Sequence, residues 1–328
     1  MIDETKLIQL LKEKKMSGEE LAQIFKVSRV AVWKKIKKLK DLGYKIESDK
    51  HGYRIIQPSD KLLPQEIIPN LKTKFIGKNY LYFEEIDSTN TQAKKEDYED
   101  GTVIFAESQT AGKGRKNRKW ISHKGLGLYF TIVLKPDIEV NYLSHFSLLF
   151  NYSVFKALKN YVNGEIKIKW PNDIYLNGKK IAGFLIESSI ENNSISKLIV
   201  GVGINVNQSI KNFEEDIKEV ATSLKIEEGE TFIRKEIFLD ILQQIEKDYL
   251  KFIKENCLDI KKIEENLLWL NQDVMILEDG KPILSGKLIG LNEDGSLMLK
   301  TDEGLRFVYV GDLSIRNKKI CDPRLRLG

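Results

Sequence analysis

Residues 107–120, ESQTAGKGRKNRKW, combine two glycines with five lysine and arginine side chains, and no acid follows the first residue. Glycine lets backbone N–H groups approach a ligand closely and tolerates positive φ. Clustered lysine and arginine side chains neutralise phosphate or carboxylate charge. The stretch, called the basic loop below, predicts a segment that closes over a small anionic ligand. The alternative is a solvated loop that binds nothing in particular.

Length and composition indicate a soluble protein of several domains. The chain has 328 residues, enough for two or three domains, and no apolar run approaches the ~20 residues that a membrane span needs. Two cysteines, Cys257 and Cys321, cannot make a disulfide framework, and His51, His123 and His145 lack zinc-ligand spacing. We expect a reducing, cytoplasmic setting without a signal peptide, a membrane partner or a metal site built from side chains.

Positive charge is concentrated at the N-terminus. Residues 1–57 carry fourteen lysines and arginines against eight acids, a net charge of +6, whereas the whole chain carries +5. The remaining residues must therefore sum to −1. This imbalance predicts a separate N-terminal domain whose partner is an anionic polymer.

The N-terminal segment has the pattern of three helices followed by a hairpin. Leucines at helical spacing predict a first helix, and Ser17 with Glu20 forms a capping box for a second. Ser28 can cap a third helix, which ends at Gly43. Strand-like runs then flank a turn signal at 49–52. A helix–turn–helix followed by a β-hairpin is a winged helix–turn–helix, whose last helix lies in the major groove of DNA.

The third helix is the expected DNA-reading element. Its lysines would mostly hold phosphates, whereas Arg29 and Trp33 are better placed for base edges. The side chains expected to face inward are Val32, Trp33, Ile36, Leu39 and Leu42. The residues expected to meet DNA are Gly18, Ser28, Arg29, Val30, Trp33, Lys34, Lys35, Lys37 and Lys38. The alternative is a basic helix in a three-helix module that binds another protein.

Residues 58–64 have the composition of a linker that leads into a central domain. There, a strand-like run ends in Asp87-Ser88-Thr89-Asn90, and a helix follows. Small hydroxyls at such a junction either cap the helix or hydrogen-bond a neutral polar ligand group. The basic loop lacks the G-x-x-x-x-G-K-S/T pattern of a P-loop, and it fails G-x-G-x-x-G at Asn117. Asparagine is the non-glycine residue best able to take a left-handed backbone, so we expect the local shape to survive there.

A hairpin is predicted later in the central domain. Asn177-Gly178 between alternating runs is the strongest short hairpin signal. The hairpin brings Asp173 and Lys180 near each other.

Two further features follow the hairpin. Gly201 and Gly203 end the next long strand, and they indicate either a bulge or tight packing. The polar segment 208–222 either orders over a ligand, with Phe213 or Val220 packing against it, or is a surface excursion.

Five motifs occur in the order that one enzyme family shows. They are Asp87-Ser-Thr-Asn90, Gln109-Thr-Ala-Gly-Lys-Gly-Arg-Lys-Asn-Arg118, Lys169-Trp-Pro-Asn-Asp173, Lys180-Ile-Ala-Gly183 and Gly201-Val-Gly-Ile-Asn205. Together they resemble a biotin–protein ligase, and the DNA-binding segment makes the chain similar to the bifunctional ligase and biotin-operon repressor. The resemblance covers essentially the whole chain. It departs in the basic loop, where Lys113 and Asn117 replace an arginine and a glycine of the family pattern G-R-G-R-x-G-R.

The resemblance implies an α+β multidomain fold. It places a winged helix–turn–helix DNA-binding domain at 1–60 and a ligase catalytic domain at 61–268. The catalytic domain would be a mixed-sheet α/β fold of the class II synthetase-like kind. The C-terminal domain at 269–328 is expected to be an SH3-like β-barrel, in keeping with short strand-like runs separated by three acid–glycine turns.

The same resemblance implies a two-step reaction. Biotin carboxylate attacks the α-phosphate of ATP, with Mg²⁺ on the polyphosphate, to give biotinyl-5′-AMP. A lysine of the biotin carboxyl carrier domain of acetyl-CoA carboxylase, or of a related carboxylase, then attacks that adenylate. The adenylate would also be the corepressor of biotin genes, because it promotes a homodimer on operator DNA. An exposed strand of the central domain is the expected dimer contact.

Two anions must meet in the first step, so cations must screen both. Lys180 and Arg115 are the expected catalytic cations, and Asp173 either orients or deprotonates the incoming lysine or caps its own turn. The residues expected at biotin are Ser88, Thr89, Asn90, Gln109, Gly112, Lys113, Gly114, Arg115, Trp120, Lys180 and Gly183. The residues expected at the nucleotide are Arg115, Arg118, Trp120, Lys169, Asn172, Lys180, Asn205 and Arg316.

Two other functions stay open at this point. One is a lipoate–protein ligase, against which the neutral polar residues around Ser88 and the DNA-binding segment argue. The other is a transcription regulator whose central domain senses a ligand without catalysis.

Overall fold

Three helices and a hairpin open the chain, as the sequence predicts. The computed structural model describes residues 2–215, 217–309 and 313–318, which divide into two units. One unit comprises the chain up to Leu71 with Ile233–Lys235, and the other comprises the rest. The elements of the first unit are α1 (Glu4–Glu13), α2 (Gly18–Phe25), α3 (Arg29–Asp41), β1 (Lys45–Asp49), β2 (Gly52–Gln57) and α4 (Pro64–Ile67).

Side-chain caps set where these helices begin. Ser17 Oγ accepts from the Glu20 N–H at 3.2 Å while Glu20 Oε2 accepts from the Ser17 N–H at 2.7 Å, which confirms the predicted capping box. Ser28 Oγ accepts from the Ala31 N–H at 3.2 Å and so caps α3. Gly43, two residues after α3, has φ of +98°, a conformation that glycine tolerates.

The core of the first unit uses only part of the apolar side predicted for α3. Val32, Ile36 and Leu39 are buried along one stripe of the helix. Trp33 lies about 100° around the helix from Val32 and is 53% exposed, so the prediction that it faces inward is wrong. Leu42, at the end of the helix, is only half-buried.

The second unit contains a large mixed sheet. Its strands are β3 (Tyr80–Phe83), β4 (Thr102–Ala106), β5 (Gly127–Leu134), β6 (Ile138–Glu139), β7 (Ile166–Lys169), β8 (Asp173–Leu176), β9 (Lys179–Glu191) and β10 (Ser194–Asn205). The strand order is β3-β4-β5-β10-β9-β8-β7, and β6 pairs with β10. Only β3 and β4 run parallel among these pairs. Asn177 and Gly178 turn the β8–β9 hairpin at positive φ, as predicted.

Helices cover both faces of this sheet. They are α5 (Thr89–Lys95), α6 (Leu143–Leu158), α7 (Leu224–Glu228), α8 (Arg234–Glu255) and α9 (Ile260–Glu264). Ala93 of α5 packs against Ile104 and Val133. Phe238 of α8 meets the ring of Phe130 at 5.1 Å on the opposite face, since adjacent strand residues alternate between faces. Within the described ranges, no helix is both long and apolar enough to span a bilayer.

One row of paired residues crosses the whole central sheet. Directly opposite residues on neighbouring strands point their side chains to the same face. The row is Phe83, Ala106, Tyr129, Gly203, Gly183, Asp173 and Lys169, from β3 to β7. It therefore places two glycines at its centre and an acid and a lysine at one end.

A second sheet follows near the C-terminus. It contains β11 (Asp273–Glu278), β12 (Lys281–Leu291), β13 (Leu297–Thr301), β14 (Gly304–Val308) and β15 (Leu313–Asn317) in the order β14-β13-β12-β11-β15. The pairing found in the described part of the chain forms an open sheet with β14 and β15 as edges. The SH3-like barrel stays a prediction. Cys321 and the end of the predicted C-terminal domain lie outside the described residues.

Candidate functional site

A cavity of about 530 Å³ lies on the sheet face that carries α5. Most of the basic loop lines it, together with the four residues of the row that lie on β7 to β10, and β15 of the second sheet lines one side. The predicted biotin, nucleotide and catalytic residues that line it are Ser88, Thr89, Asn90, Gln109, Lys113, Gly114, Arg115, Arg118, Trp120, Lys169, Asn172, Asp173, Lys180, Gly183, Asn205 and Arg316. Tertiary structure thus gathers five separate motifs around one space.

Gly112 is the predicted site residue that does not line this cavity. Its carbonyl accepts from the Trp120 N–H at 2.9 Å, which closes the base of the basic loop. A Cβ at Gly112 would press against the Trp120 carbonyl. The residue is glycine because the two arms of the loop approach closely there.

The floor of the cavity is a pair of glycines under an indole ring. Gly183 and Gly203 face each other across β9 and β10. A Cβ on Gly183 would lie 3.0 Å from the Trp120 ring, and one on Gly203 would overlap it. Gly201 leaves similar room for the Asn90 amide. Of the two predicted explanations for these glycines, tight packing is therefore confirmed.

Neutral polar groups form the end of the cavity next to α5. The Thr89 N–H donates to Gln109 Oε1 at 2.9 Å, and Gln109 Nε2 donates to Ser122 Oγ at 3.0 Å. The Thr131 hydroxyl donates to Asn90 Oδ1 at 2.6 Å and lies 2.8 Å from Thr89 Oγ1. Such a network is pre-organised for an uncharged polar group.

Two of the residues predicted to bind biotin also form hydrogen bonds that stabilise the fold. Ser88 Oγ accepts from the Thr91 N–H at 3.4 Å and caps α5. Asn90 Nδ2 donates to the Leu185 carbonyl at 3.2 Å and to Glu187 Oε2 at 3.0 Å. Both amide protons of Asn90 are therefore used within the protein.

Cations and one ion pair form the other end. Lys180 Nζ lies 2.6 Å from Asp173 Oδ1 and 5.4 Å from the centroid of the Trp120 ring. Arg115 Nη1 donates to Asn172 Oδ1 at 3.3 Å. Other cations that line the cavity include Lys113, Arg118, Lys169 and Arg316. This end therefore suits an anionic ligand group.

The basic loop makes a further contact with the second sheet. Lys116 Nζ lies 2.6 Å from Asp279 Oδ1, and this pair holds the pKa of the Asp279 carboxyl below its usual value. The left-handed residue of the loop is Lys116, with φ of +54°. The sequence had indicated Asn117 as the residue able to take that conformation.

Lys169 is the most deeply buried cation of the site. Its side chain donates to the Tyr175 hydroxyl at 2.9 Å, and its Nζ lies 4.8 Å and 5.3 Å from the ring centroids of Tyr175 and Trp269. Burial, followed by the charge of Arg316, lowers the pKa of Lys169 to about 7. An amine in that condition exchanges protons readily near neutral pH.

The segment 208–222 lies against the site. The Lys180 N–H donates to the Val220 carbonyl at 2.9 Å, and the Thr222 N–H donates back to the Lys180 carbonyl at 2.9 Å. Phe213 is buried and lines the cavity with Val220. Asp216, within this segment, lies outside the described residues. The segment packs along the Lys180 strand instead of forming a detached surface excursion.

Sequence reasoning missed several residues of the cavity. Tyr175 was detectable, because it lies two residues after Asp173 on a strand and so shares its face. Trp269 also lines the cavity, but no local pattern indicated it. Trp269 has φ of +67° just before the second sheet, and that turn directs it towards the site.

The first unit presents a basic helix with an exposed apolar tip. Val30 is 61% exposed, and Lys37 Nζ lies 5.8 Å from the Trp33 ring. Lys35 and Lys38 were predicted to meet DNA, but their Nζ atoms pair with Glu4 Oε1 within the first unit, at 2.6 Å and 3.0 Å. The predicted DNA residues exposed at the surface are Ser28, Arg29, Val30, Trp33, Lys34, Lys37 and Lys38. Gly18 begins α2, and a Cβ there would touch the Tyr53 ring.

Comparison with known proteins matches three parts of the chain to family models. Residues 82–205 match the model of the biotin/lipoate A/B protein ligase family, residues 4–54 match an HTH domain, and residues 270–316 match a biotin protein ligase C-terminal domain. The fold and the site thus define a ligase with a DNA-binding module.

Individual relatives show which family of ligases with a DNA-binding module this is. The bifunctional ligase/repressor BirA of Bacillus subtilis is 34% identical over 92% of this chain and 94% of its own, and that of Escherichia coli is 27% identical over 95% and 97%. The solved biotin protein ligase from Aquifex aeolicus in complex with biotin and ATP is 37% identical, with a TM-score of 0.65 over 74% of this chain and 100% of that one. The chain belongs to the family of bifunctional biotin ligases and repressors, which confirms the family predicted from the five motifs.

Proposed function

We propose that this chain is an ATP-dependent biotin–protein ligase that also represses biotin genes. The cavity is the observation that carries the ligase assignment. It offers neutral hydrogen-bonding groups at one end, an indole ring on a glycine floor in the middle, and cations at the other end. Biotin joined to AMP has the same order of groups: a neutral ureido ring, an apolar tail and a phosphate.

The first step makes biotinyl-5′-AMP from biotin and ATP. Lys180 and Arg115 screen the carboxylate and the α-phosphate as these two anions approach each other. Thr89, Asn90 and Gln109, with the Ser88 cap, hold the ureido ring. The residues proposed at the nucleotide, besides these cations, are Arg118, Lys169, Asn172, Asn205 and Arg316, with Phe213 near the purine.

Mg²⁺ is proposed on the polyphosphate of ATP. Within the ranges that the structure describes, no three His, Cys, Asp or Glu side chains lie together as a metal site. The ion would therefore take its ligands mainly from substrate oxygens and water, as Mg²⁺ does in many nucleotide sites.

The second step transfers biotin to a lysine of a biotin carboxyl carrier domain of acetyl-CoA carboxylase or a related carboxylase. The carrier amine attacks the acyl carbon, and AMP leaves. Asp173 is held by Lys180 at 2.6 Å and is proposed to orient that amine.

The repressor function rests on α3. Its exposed arginine and lysines fit operator phosphates, and Trp33 stands clear of the core where it can reach a base edge. Biotinyl-5′-AMP is proposed as the corepressor that promotes a homodimer on the operator. The proposal includes domains at 1–60, 61–268 and 269–328, a class II synthetase-like central fold, an SH3-like C-terminal barrel and a cytoplasmic location.

A transfer assay tests the ligase function. The full chain is incubated with ATP, Mg²⁺, a carrier domain and either radiolabelled biotin or radiolabelled lipoate. We expect label on the carrier lysine with biotin only. Labelling by lipoate would identify a lipoate ligase instead, and binding of biotin to the protein without transfer would leave only a ligand-sensing regulator.

A further inference from the structure

Lys169 ends the row of paired residues whose two glycines, Gly183 and Gly203, form the floor of the cavity. It lies on β7 directly opposite Asp173 on β8, and directly opposite residues have Cβ atoms about 4.5–5.5 Å apart on one face. Only 5% of its surface is exposed, yet it lines the cavity. A buried ammonium costs free energy unless an anion compensates its charge or the group loses its proton.

The surroundings of Lys169 favour its neutral form. The ring centroids of Tyr175 and Trp269 lie 4.8 Å and 5.3 Å from its Nζ, and it donates to the Tyr175 hydroxyl at 2.9 Å, in a position from which bulk water is largely excluded. The charged groups that act on it are Arg316, Asp173, Lys180 and Arg118. Burial is the largest cause that lowers the pKa of Lys169 to about 7; the three cations lower it further, and Asp173 opposes the shift. The site thus holds an amine that is a competent base near neutral pH.

We infer that Lys169 accepts the proton that the carrier lysine loses in the transfer step, an inference that rests on the proposed ligase function. The neutral carrier amine attacks the acyl carbon of the mixed anhydride and forms the C–N bond. The bond between the acyl carbon and the bridging phosphate oxygen breaks, and AMP leaves with the electron pair of that bond. The extra proton on the new amide nitrogen passes to Nζ of Lys169.

Asp173 is less suited to receive this proton. Its carboxylate is paired with Lys180 at 2.6 Å. Protonation of Asp173 would remove the negative charge that pairs with Lys180, and both steps need that pair. Asp173 therefore orients the amine, and Lys169 takes the proton. In the first step Lys169 acts as a cation, because the polyphosphate of ATP favours its protonated form; departure of pyrophosphate restores the neutral amine.

Single-turnover transfer tests this assignment without the first step. The full-length protein is loaded with synthetic biotinyl-5′-AMP and mixed with carrier domain at a series of pH values. The carrier lysine, with a pKa of about 10.4, makes the logarithm of the rate rise by about one per pH unit throughout. A base on the enzyme adds a further slope of about one below its own pKa, so we expect a break near pH 7 in the wild type.

Lys169→Arg is the decisive variant, because arginine keeps the charge but cannot lose a proton. With the adenylate already loaded, we expect it to slow transfer by roughly 10²-fold or more and to lose the break in the pH profile. Lys169→Met should lose the break as well. Lys167→Arg, the same change on the same strand at a residue outside the cavity lining, is the matched control and should behave as wild type.

Hydroxylamine provides a rescue, since the nitrogen of this weakly basic nucleophile loses its extra proton to water after attack and needs no base on the enzyme. We expect Lys169→Arg to form biotin hydroxamate from the loaded adenylate at the wild-type rate. A break that persists in Lys169→Arg, or a transfer rate equal to that of the wild type, overturns the inference. Absence of pyrophosphate exchange in the wild type would instead refute the proposed function itself.

Discussion

Gly183 on β9 and Gly203 on β10 lie directly opposite each other, and the Trp120 ring rests on the pair. This contact ties the basic loop to the middle of the sheet. It also explains why two motifs that are distant in sequence both depend on glycine. A side chain at either position would lift the ring and change the space in which the ligand sits.

The first prediction concerns that contact. Gly203→Ala introduces a Cβ that overlaps the Trp120 ring, and overpacking of this kind costs about 1–3 kcal/mol. We expect biotin affinity, measured by calorimetry, to fall roughly tenfold or more. Trp120→Ala removes the ring, so adding Gly203→Ala to it should cost little more. Additive losses in this double-mutant cycle would show that the glycine does not act through Trp120.

The second prediction concerns the first chemical step. Lys180→Ala removes the cation that is paired with Asp173 and lies over the Trp120 ring. Adenylate formation, followed as pyrophosphate exchange, should drop by a factor of roughly 10² or more. Asp173→Asn leaves the lysine in place and should affect exchange much less than transfer. An exchange rate unchanged in Lys180→Ala would refute its assigned role.

The third prediction concerns retention of the adenylate. Arg115→Gly removes the guanidinium that reaches Asn172 across the cavity, so biotinyl-5′-AMP should escape and label lysines of bystander proteins. Lys124→Ala is the control, because it also removes a cation near the basic loop, but one that pairs with Glu84 at 2.7 Å and lies outside the cavity lining. It should keep bystander labelling at the wild-type level. Equal retention in wild type and Arg115→Gly would contradict the prediction.

The fourth prediction separates lysines that meet DNA from those that stabilise the first unit. Lys34 is exposed, whereas Lys35 is 2.6 Å from Glu4 with only 20% of its side chain exposed. Lys34→Gln should lower the salt slope of operator binding by about one without loss of stability. Lys35→Gln should lower the unfolding midpoint with little change in slope. Gel-shift titrations at several salt concentrations measure the slope, and deletion of residues 1–57 should abolish binding.

The fifth prediction links Lys169 to stability. Its pKa is about 7 in the folded protein and 10.5 in an unperturbed lysine, so between these values the unfolded chain binds a proton that the native protein does not. Its contribution therefore makes the free energy of unfolding rise with pH from about 7 to about 10.5. Lys169→Met removes this pH-dependent contribution to the free energy of unfolding. Urea unfolding of the wild type and of Lys169→Met across that pH range gives the difference between their free energies of unfolding. We expect any advantage of the wild type to narrow towards low pH or to reverse there. A difference that stays constant with pH would contradict the assigned pKa.

Local sequence patterns predicted most of the secondary structure. The capping box at Ser17 and the Asn177-Gly178 hairpin follow from short-range rules, and the structure confirms both. The order of the five motifs was enough to predict the family. Trp33 was misassigned because spacing alone does not say which side of an amphipathic helix meets the core.

What only the tertiary structure decided is how those motifs meet. No sequence pattern states that Lys169, Asp173, Gly183 and Gly203 stand in one row across four strands, because register depends on pairing between strands that are distant along the chain. Burial lowers the pKa of Lys169, and one of the rings beside its Nζ is that of Trp269, which lies 100 residues further along the chain. The sequence by itself determined which chemical groups are present and in which elements they lie. Long-range packing determined which of them share a cavity, and therefore which can act together on one ligand.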